Sequence, residues 1–254
     1  MRIHCPSRND TAGLRRLWKQ SFPDDDLFLD RFFSIAYSPS RCLCVSEGEQ
    51  ILAALYWFDA SCCGKPLAYL YAVATDPARR KQGLCRRLMA ETKQRLQQAG
   101  IAGLLLVPEN QALAHMYENM GFSCCTAIHE FSCTAGTVPV PVRKIGLPEY
   151  EALRKRFLPP NGVLQEGETL ALLASELDFY TGSDFLAAAA IDEGGLRCVE
   201  LLGSAASAPG LLRALGCGSG SFRTPGAGHP FAYYCPLSSA CPRPAYFGLA
   251  LDSY

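Results

Sequence analysis

The sequence predicts a mixed α/β (α+β) fold. Alternating strands and helices are expected over residues 1–134, a linker at 135–142, and a second, smaller α+β domain over 143–254. Three observations predict it. Segments of helical period alternate with short apolar runs of strand length. "TAGTVPVPV" alternates Pro and Val after a Gly and reads as a break between domains. Beyond it, "VRKIGLPEYEALRKRFL" follows the plan of "MRIHCPSRNDTAGLRRLWKQSF": a short strand, a turn, then a Leu/Arg/Lys helix ending on an aromatic. Two readings of the second domain stay open, a degenerate copy of the first or an unrelated α+β domain.

In order along the chain, residues 1–6 form a short strand, and "NDTAGLRRLWKQSF" is a helix with Leu14, Leu17 and Trp18 at helical spacing behind Asn9 or Asp10 as N-cap. "DDDLFLDRFFSIAY" opens on three acids that suit the positive end of a helix, and Leu27, Phe28, Phe32, Ile35 and Ala36 share one face. Strands are expected at 41–46, 51–60 and 67–75, with "SEGEQ" and "CCGKP" as turns. A helix over 82–99 buries Leu84, Leu88, Met89, Thr92 and Leu96 and stops at Gly100. "IAGLLLVP" is a strand buried on both faces, "NQALAHMYENM" a brief helix, and "FSCCTAIHEFSC" a further strand or hairpin arm. In the second half a helix at 168–180 precedes strands at 184–191 and 196–202. A short helix at 208–215, the glycine-rich connector "GCGSGSFRTPGAGHP", and strands at 231–235 and 245–250 complete the chain.

Composition narrows the function. Lys+Arg and Asp+Glu number 24 each, so no bulk attraction to nucleic acid or an anionic membrane is indicated. The N-terminal stretch has no apolar signal core and no run is long enough to span a bilayer, so a cytoplasmic location is expected. The 13 cysteines contain no CxxC pair, and an odd total without a secretion signal reads as reduced thiols filling apolar space. No metal is expected.

The chemistry concentrates in "PARRKQGLCRRLM", residues 77–89. The first turn of a helix leaves its N–H groups without intrahelical partners. A glycine before it removes the Cβ that would obstruct an approaching anion. Arg79, Arg80, Lys81, Arg86 and Arg87 add positive field, against the usual preference of cations for the other helix end. A phosphate there would compensate them, although a solvated basic face is the ordinary reading of such residues.

The segment Arg80-Lys81-Gln82-Gly83-Leu84-Cys85 follows the strand "LAYLYAVAT" and resembles the pyrophosphate loop of the GNAT N-acetyltransferase family, Arg/Gln-x-x-Gly-x-Gly/Ala, with Cys85 in the last small position. "NQALAHMYENMGF" is similar to that family's Asn-x(6)-Tyr-Glu-x-x-Gly-Phe helix, matching at Asn110, Tyr117, Glu118, Gly121 and Phe122. The two motifs, in order and at the family's spacing, carry the resemblance over 67–125, and with the preceding strand and helices it extends over 1–133. It implies a GNAT-like mixed, mostly antiparallel sheet flanked by helices, and an acetyl-CoA-dependent N-acetyltransferase acting on a primary amine of a small molecule or peptide, in a ternary complex. It further implies that the backbone of Val73, Ala74 and Thr75 receives pantetheine, that residues 80–85 hold the diphosphate, with Arg79 or Arg86 near the 3′-phosphate, and that Asn110 contacts the coenzyme arm. Tyr117 is implied as the general acid. A phenol with a pKa of about 10 is protonated at neutral pH and so has a proton to give. For the base, Asp59, Tyr69, Tyr71, Asp76, His115 and Glu118 lie in or near the relevant elements and none stands out. The second half has no matching loop. The alternative from another class is a non-catalytic acyl-CoA sensor or interaction protein.

Overall fold

The computed structural model describes residues 1–239 and 242–251. The elements run β1 (Arg2–His4), α1 (Thr11–Ser21), α2 (Asp26–Arg31), β2 (Cys42–Glu47), β3 (Gln50–Cys62), β4 (Lys65–Thr75), α3 (Leu84–Gln98), β5 (Gly103–Leu106), α4 (Gln111–Glu118), β6 (Ser123–Cys124) and β7 (Ala127–Thr134). They continue with β8 (Arg143–Ile145), α5 (Leu147–Phe157), β9 (Leu164–Gln165), α6 (Glu168–Leu173), β10 (Asp178–Thr181), β11 (Phe185–Asp192), β12 (Gly195–Gly203), α7 (Ala208–Leu215), β13 (Ser219–Pro225), β14 (His229–Pro230) and β15 (Tyr233–Pro236). The chain divides into two compact units. Of the described residues, Met1–Ser123 with 234–239 make the first, and Cys124–Tyr233 with 242–251 the second. The linear division expected at 134 therefore differs from the spatial one, which gives β7 to the second unit and returns most of β15 to the first.

In the first unit the sheet order is β1-β2-β3-β4-β5-β15-β6. The pairs β1–β2, β2–β3 and β3–β4 are antiparallel, and β4–β5 is parallel. Leu104, Leu105 and Leu106 are fully or almost fully buried, as the apolar run predicts for a strand covered on both faces. β15 approaches β5 where Gly103 has no side chain. A Cβ there would stand 2.3 Å from Cε2 of Tyr234, so only glycine accepts that ring. Against the sheet, Trp18 of α1 packs on Phe32 (ring centroids 4.5 Å apart), Tyr56 (5.4 Å) and Tyr71 (5.7 Å). The second helix departs from the expected single face. After Arg31 it widens into a π-turn closed by Tyr37 N donating to Phe32 O at 2.9 Å, and of the expected face Leu27 and Ile35 stand 57% and 37% exposed.

The second unit follows the same plan. Its order is β14-β7-β13-β12-β11-β10-β8, and from β8 inward the pairs run antiparallel, antiparallel, antiparallel, then parallel. One helix (α5) follows the edge strand and another (α7) joins the parallel pair, as α1 and α3 do in the first unit. Each sheet takes in a strand from the far side of the expected linker, β15 next to β5 in the first and β7 next to β13 in the second. Three expectations are corrected here. The helix at 168–180 ends at Leu173, because Asp178–Thr181 finds ladder partners on both sides, in β8 and β11. The glycine-rich connector contains β13, which pairs with both β12 and β7. Residues 245–250 are not a strand. Tyr246 makes one isolated bridge to Gly162 while Phe247, Leu249 and Ala250 are buried without a ladder.

A closed polar cluster lies inside the second unit. Arg154 of α5 grips Glu200 of β12 in bidentate fashion, Nε to Oε2 at 2.8 Å and Nη2 to Oε1 at 3.0 Å, and both side chains are 0% exposed. Tyr150 and Tyr246 donate their hydroxyls to the same carboxylate at 2.7 and 3.1 Å. Burial pushes both phenols well above their ordinary range. The ion pair is thus hydrogen-bonded on every side that the carboxylate offers, which is the condition under which a buried pair is tolerated.

Candidate active site

The site is built by β4 parting from β5. The parallel ladder ends at Tyr69↔Leu105, leaving 70–75 with β3 on one side only. A bulge breaks the β3–β4 register between Tyr56↔Tyr71 and Ala54↔Ala74, with Ala72 at φ +47°. Val73, Ala74 and Thr75 consequently line a cavity of about 890 Å³. Asp76 closes the strand: its carboxylate accepts from Ala78 N at 2.9 Å and Gln50 Nε2 at 3.3 Å. The chain then turns through Lys81 (φ +63°) and Gly83 (φ +76°) into α3. A Cβ at Gly83 would meet nothing within 4 Å, so the left-handed backbone, not crowding, selects glycine there.

No side chain caps α3, and the first intrahelical bond is Arg87 N to Gly83 O at 3.0 Å. The N–H groups of Leu84, Cys85 and Arg86 stand before it, beside the cavity wall that Gly83, Leu84, Cys85 and Arg86 form. The cations around this turn divide into two groups. Arg79 is held by Glu47 at 3.0 Å, and Arg80 donates Nε to Thr75 O at 3.3 Å. Arg80, Lys81 and Arg86 line the cavity without a carboxylate partner among the described residues. Bare N–H groups, cations without a carboxylate partner and an open concavity fit a diphosphate. Burial raises the Cys85 thiol to about 11, so it stays protonated at neutral pH and serves as a small wall residue.

On the facing side α4 begins at Asn110, whose side-chain oxygen accepts from Leu113 N at 3.0 Å. Leu113, Met116, Tyr117 and Met120 line the cavity at i, i+3, i+4, i+7 spacing, with Tyr117 only 6% exposed. One concavity therefore joins Tyr117 to the loop. Of the residues anticipated from sequence, Val73, Ala74, Thr75, Arg80, Lys81, Gly83, Leu84, Cys85, Asn110 and Tyr117 all line it, and Gln82 does not. Asn110 spends its side-chain oxygen on the helix cap. Ser21 and Phe22, at the end of α1, and Glu109 were not anticipated. Nothing local in the sequence marks the first two, whereas the α4 stripe is readable from its period.

None of the residues considered as base lines the cavity. Asp59 pairs with Arg41 at 3.1 Å, Asp76 caps the turn, and His115 meets Glu118 at 3.3 Å on the exposed side of α4. Glu109 is the carboxylate on the described wall. No group of three His, Cys, Asp or Glu side chains that could hold a metal occurs among the described residues. Among those residues too, no helix is long and apolar enough to cross a membrane.

In the second unit the turn between β12 and α7 is filled differently. Ser204 N donates to Asp184 O at 2.9 Å, and the Ser207 hydroxyl donates to the Asp184 carboxylate at 3.1 Å. An acid thus stands where the first unit presents bare N–H groups and cations.

The model of the acetyltransferase (GNAT) family matches residues 11–122. No curated protein matches the chain in sequence. Among solved structures, a GCN5-related N-acetyltransferase from Kribbella flavida superposes with a TM-score of 0.71 at 17% identity, covering 92% of this chain and 70% of the other. A conserved protein from Enterococcus faecalis V583 gives 0.73 at 16%, covering 93% and 72%. A GCN5-related N-acetyltransferase from Anabaena variabilis gives 0.73 at 12%, covering 93% and 73%. At these identities the likeness is one of fold, and it extends through both units.

Proposed function

Given that residues 11–122 form a GNAT acetyltransferase domain, we propose that the protein is a cytoplasmic acetyl-CoA-dependent N-acetyltransferase that acylates a primary amine of a small molecule or peptide by direct attack. The observation that carries this reading is the continuous 890 Å³ cavity with an uncapped helix N-terminus at one part of its wall and Tyr117 at another.

The N–H groups at the start of α3, with Lys81 and Arg86, hold the diphosphate. The exposed edge of Val73, Ala74 and Thr75 takes the amides of the pantetheine arm, and Asn110 borders it. The amine nitrogen attacks the thioester carbonyl carbon, the carbon–sulfur bond breaks, and the departing sulfur takes the phenolic proton of Tyr117. The proton lost by the amine passes to solvent, and solvent returns one to the Tyr117 phenolate. An alkyl ammonium with a pKa of about 10.4 must be deprotonated first, so the rate should rise with pH across the neutral range.

The test measures release of free CoA from acetyl-CoA with spermidine, a lysine-containing peptide and kanamycin as acceptors, beside thermal shifts with acetyl-CoA and CoA. Transfer to at least one amine, lowered about 10²–10⁴-fold in Tyr117→Phe with acetyl-CoA binding retained, is the expected result. Tight binding of acetyl-CoA with no transfer to any amine would establish a sensor instead.

A further inference from the structure

We infer that Lys93 is a positioning residue that fixes Tyr117 relative to the diphosphate turn; this rests on the reading of Tyr117 as the acid. Lys93 lies on α3, ten residues after Gly83, or about 15 Å along the helix axis. Its ammonium donates to the carbonyl of Met120, in the turn that ends α4. It also sits 4.8 Å from the centre of the Phe122 ring and 3.6 Å from where a Cβ of Gly121 would be. No carboxylate pairs with it among the described residues. A half-buried cation without an acid partner is therefore spent on a helix C-terminus and a ring face, both of which attract positive charge.

That turn is what holds Tyr117. Met120 N and Phe122 N both donate to the Tyr117 carbonyl, at 2.9 and 3.1 Å. The Phe122 ring meets the Tyr117 ring edge-on, 5.8 Å between centroids at 66°. Met120 itself lines the cavity. α3 thus presents the anion-binding turn at its start and, through Lys93, clamps the end of the helix that carries the phenol. One rigid element sets the separation between the two working parts, and near-attack geometry is sensitive to errors of about 1 Å. Removing the clamp leaves the diphosphate turn intact and lets the phenol wander.

The experiment compares Lys93→Met, Lys93→Gln and Lys93→Arg in the full chain, alone and combined with Tyr117→Phe, using acetyl-CoA with the amines named above. Lys93→Met is expected to lower kcat about tenfold while KM for acetyl-CoA stays within about twofold. Lys93→Arg should recover most of the loss, and Lys93→Met should add nothing in the Tyr117→Phe background. Ring-labelled tyrosine NMR reads the same point without an acceptor. The Tyr117 resonance, assigned by its loss in Tyr117→Phe, should shift in the Met and Gln variants and return in the Arg variant. An unmoved resonance, or a kcat loss repeated in full in the Tyr117→Phe background, overturns the role of Lys93 alone. A Tyr117→Phe enzyme as fast as the parent removes the acid assignment and Lys93 with it, and leaves acyl transfer standing.

Discussion

Replacing Arg154 by Met would strand a carboxylate inside the second unit. Glu200 is 0% exposed, and loss of the guanidinium removes its counter-charge and two of its hydrogen bonds at once. Methionine fills a similar volume, which keeps a cavity contribution small. Breaking a buried pair by removing one partner costs about 3–5 kcal/mol. Tyr150 and Tyr246 still donate to Glu200, which places the expected loss near the lower end, about 3 kcal/mol. Converted at about 2–4 °C per kcal/mol for a chain of this size, the midpoint should fall by about 6–12 °C. Urea and thermal unfolding followed by circular dichroism measure it. The double variant Arg154→Met with Glu200→Leu removes both charges and should be no worse than Arg154→Met alone, although it leaves two hydroxyls to find new acceptors. A single-variant loss below about 1 kcal/mol, or fully additive losses in the double, would show that water reaches the pair and would refute the reasoning.

Other outcomes follow from the first unit. Lys81→Ala with Arg86→Ala should weaken acetyl-CoA binding by at least about tenfold and flatten its salt dependence, read by calorimetry at two ionic strengths. Gly83→Ala should meet no clash but pay a left-handed backbone penalty of about 1 kcal/mol, seen as a lowered midpoint that acetyl-CoA partly restores. Because burial raises the Cys85 thiol to about 11, its thiolate is scarce at pH 7 and grows as pH rises toward that value. Iodoacetamide with peptide mapping at pH 7 should therefore mark exposed Cys5 and Cys63 well before Cys85, and labelling of Cys85 should climb with pH and fall when acetyl-CoA is present.

Much of the first unit was readable because its signals are local. Gly83 at a helix mouth, the tyrosine motif on α4 and the apolar run of β5 each announce themselves within a few residues. The features that escaped depend on partners distant in sequence. Asp178–Thr181 continues an apolar period set by Leu170, Leu172 and Leu173 and looks helical until β8 and β11 are placed beside it. β13 hides among glycines for the same reason. Ser21 and Phe22 reach the cavity only through the path of α1 across the sheet, and Lys93 looks like any surface lysine until Met120 is brought to it. The recurrent strand–turn–helix after the linker was legible, but not the destination of β7 and β15.

That destination bears on how the protein is made. During synthesis the first 123 residues leave the ribosome with a sheet that lacks a penultimate member, since the tyrosine that fills the space over Gly103 is translated more than 130 residues after that glycine. Until then the flank of β5 is an open edge, the kind of surface that chaperones shield and that pairs wrongly when left bare. Nascent chains halted anywhere before Tyr233 should accordingly be protease-sensitive and unable to retain coenzyme, however complete their glycine turn and their tyrosine helix already are.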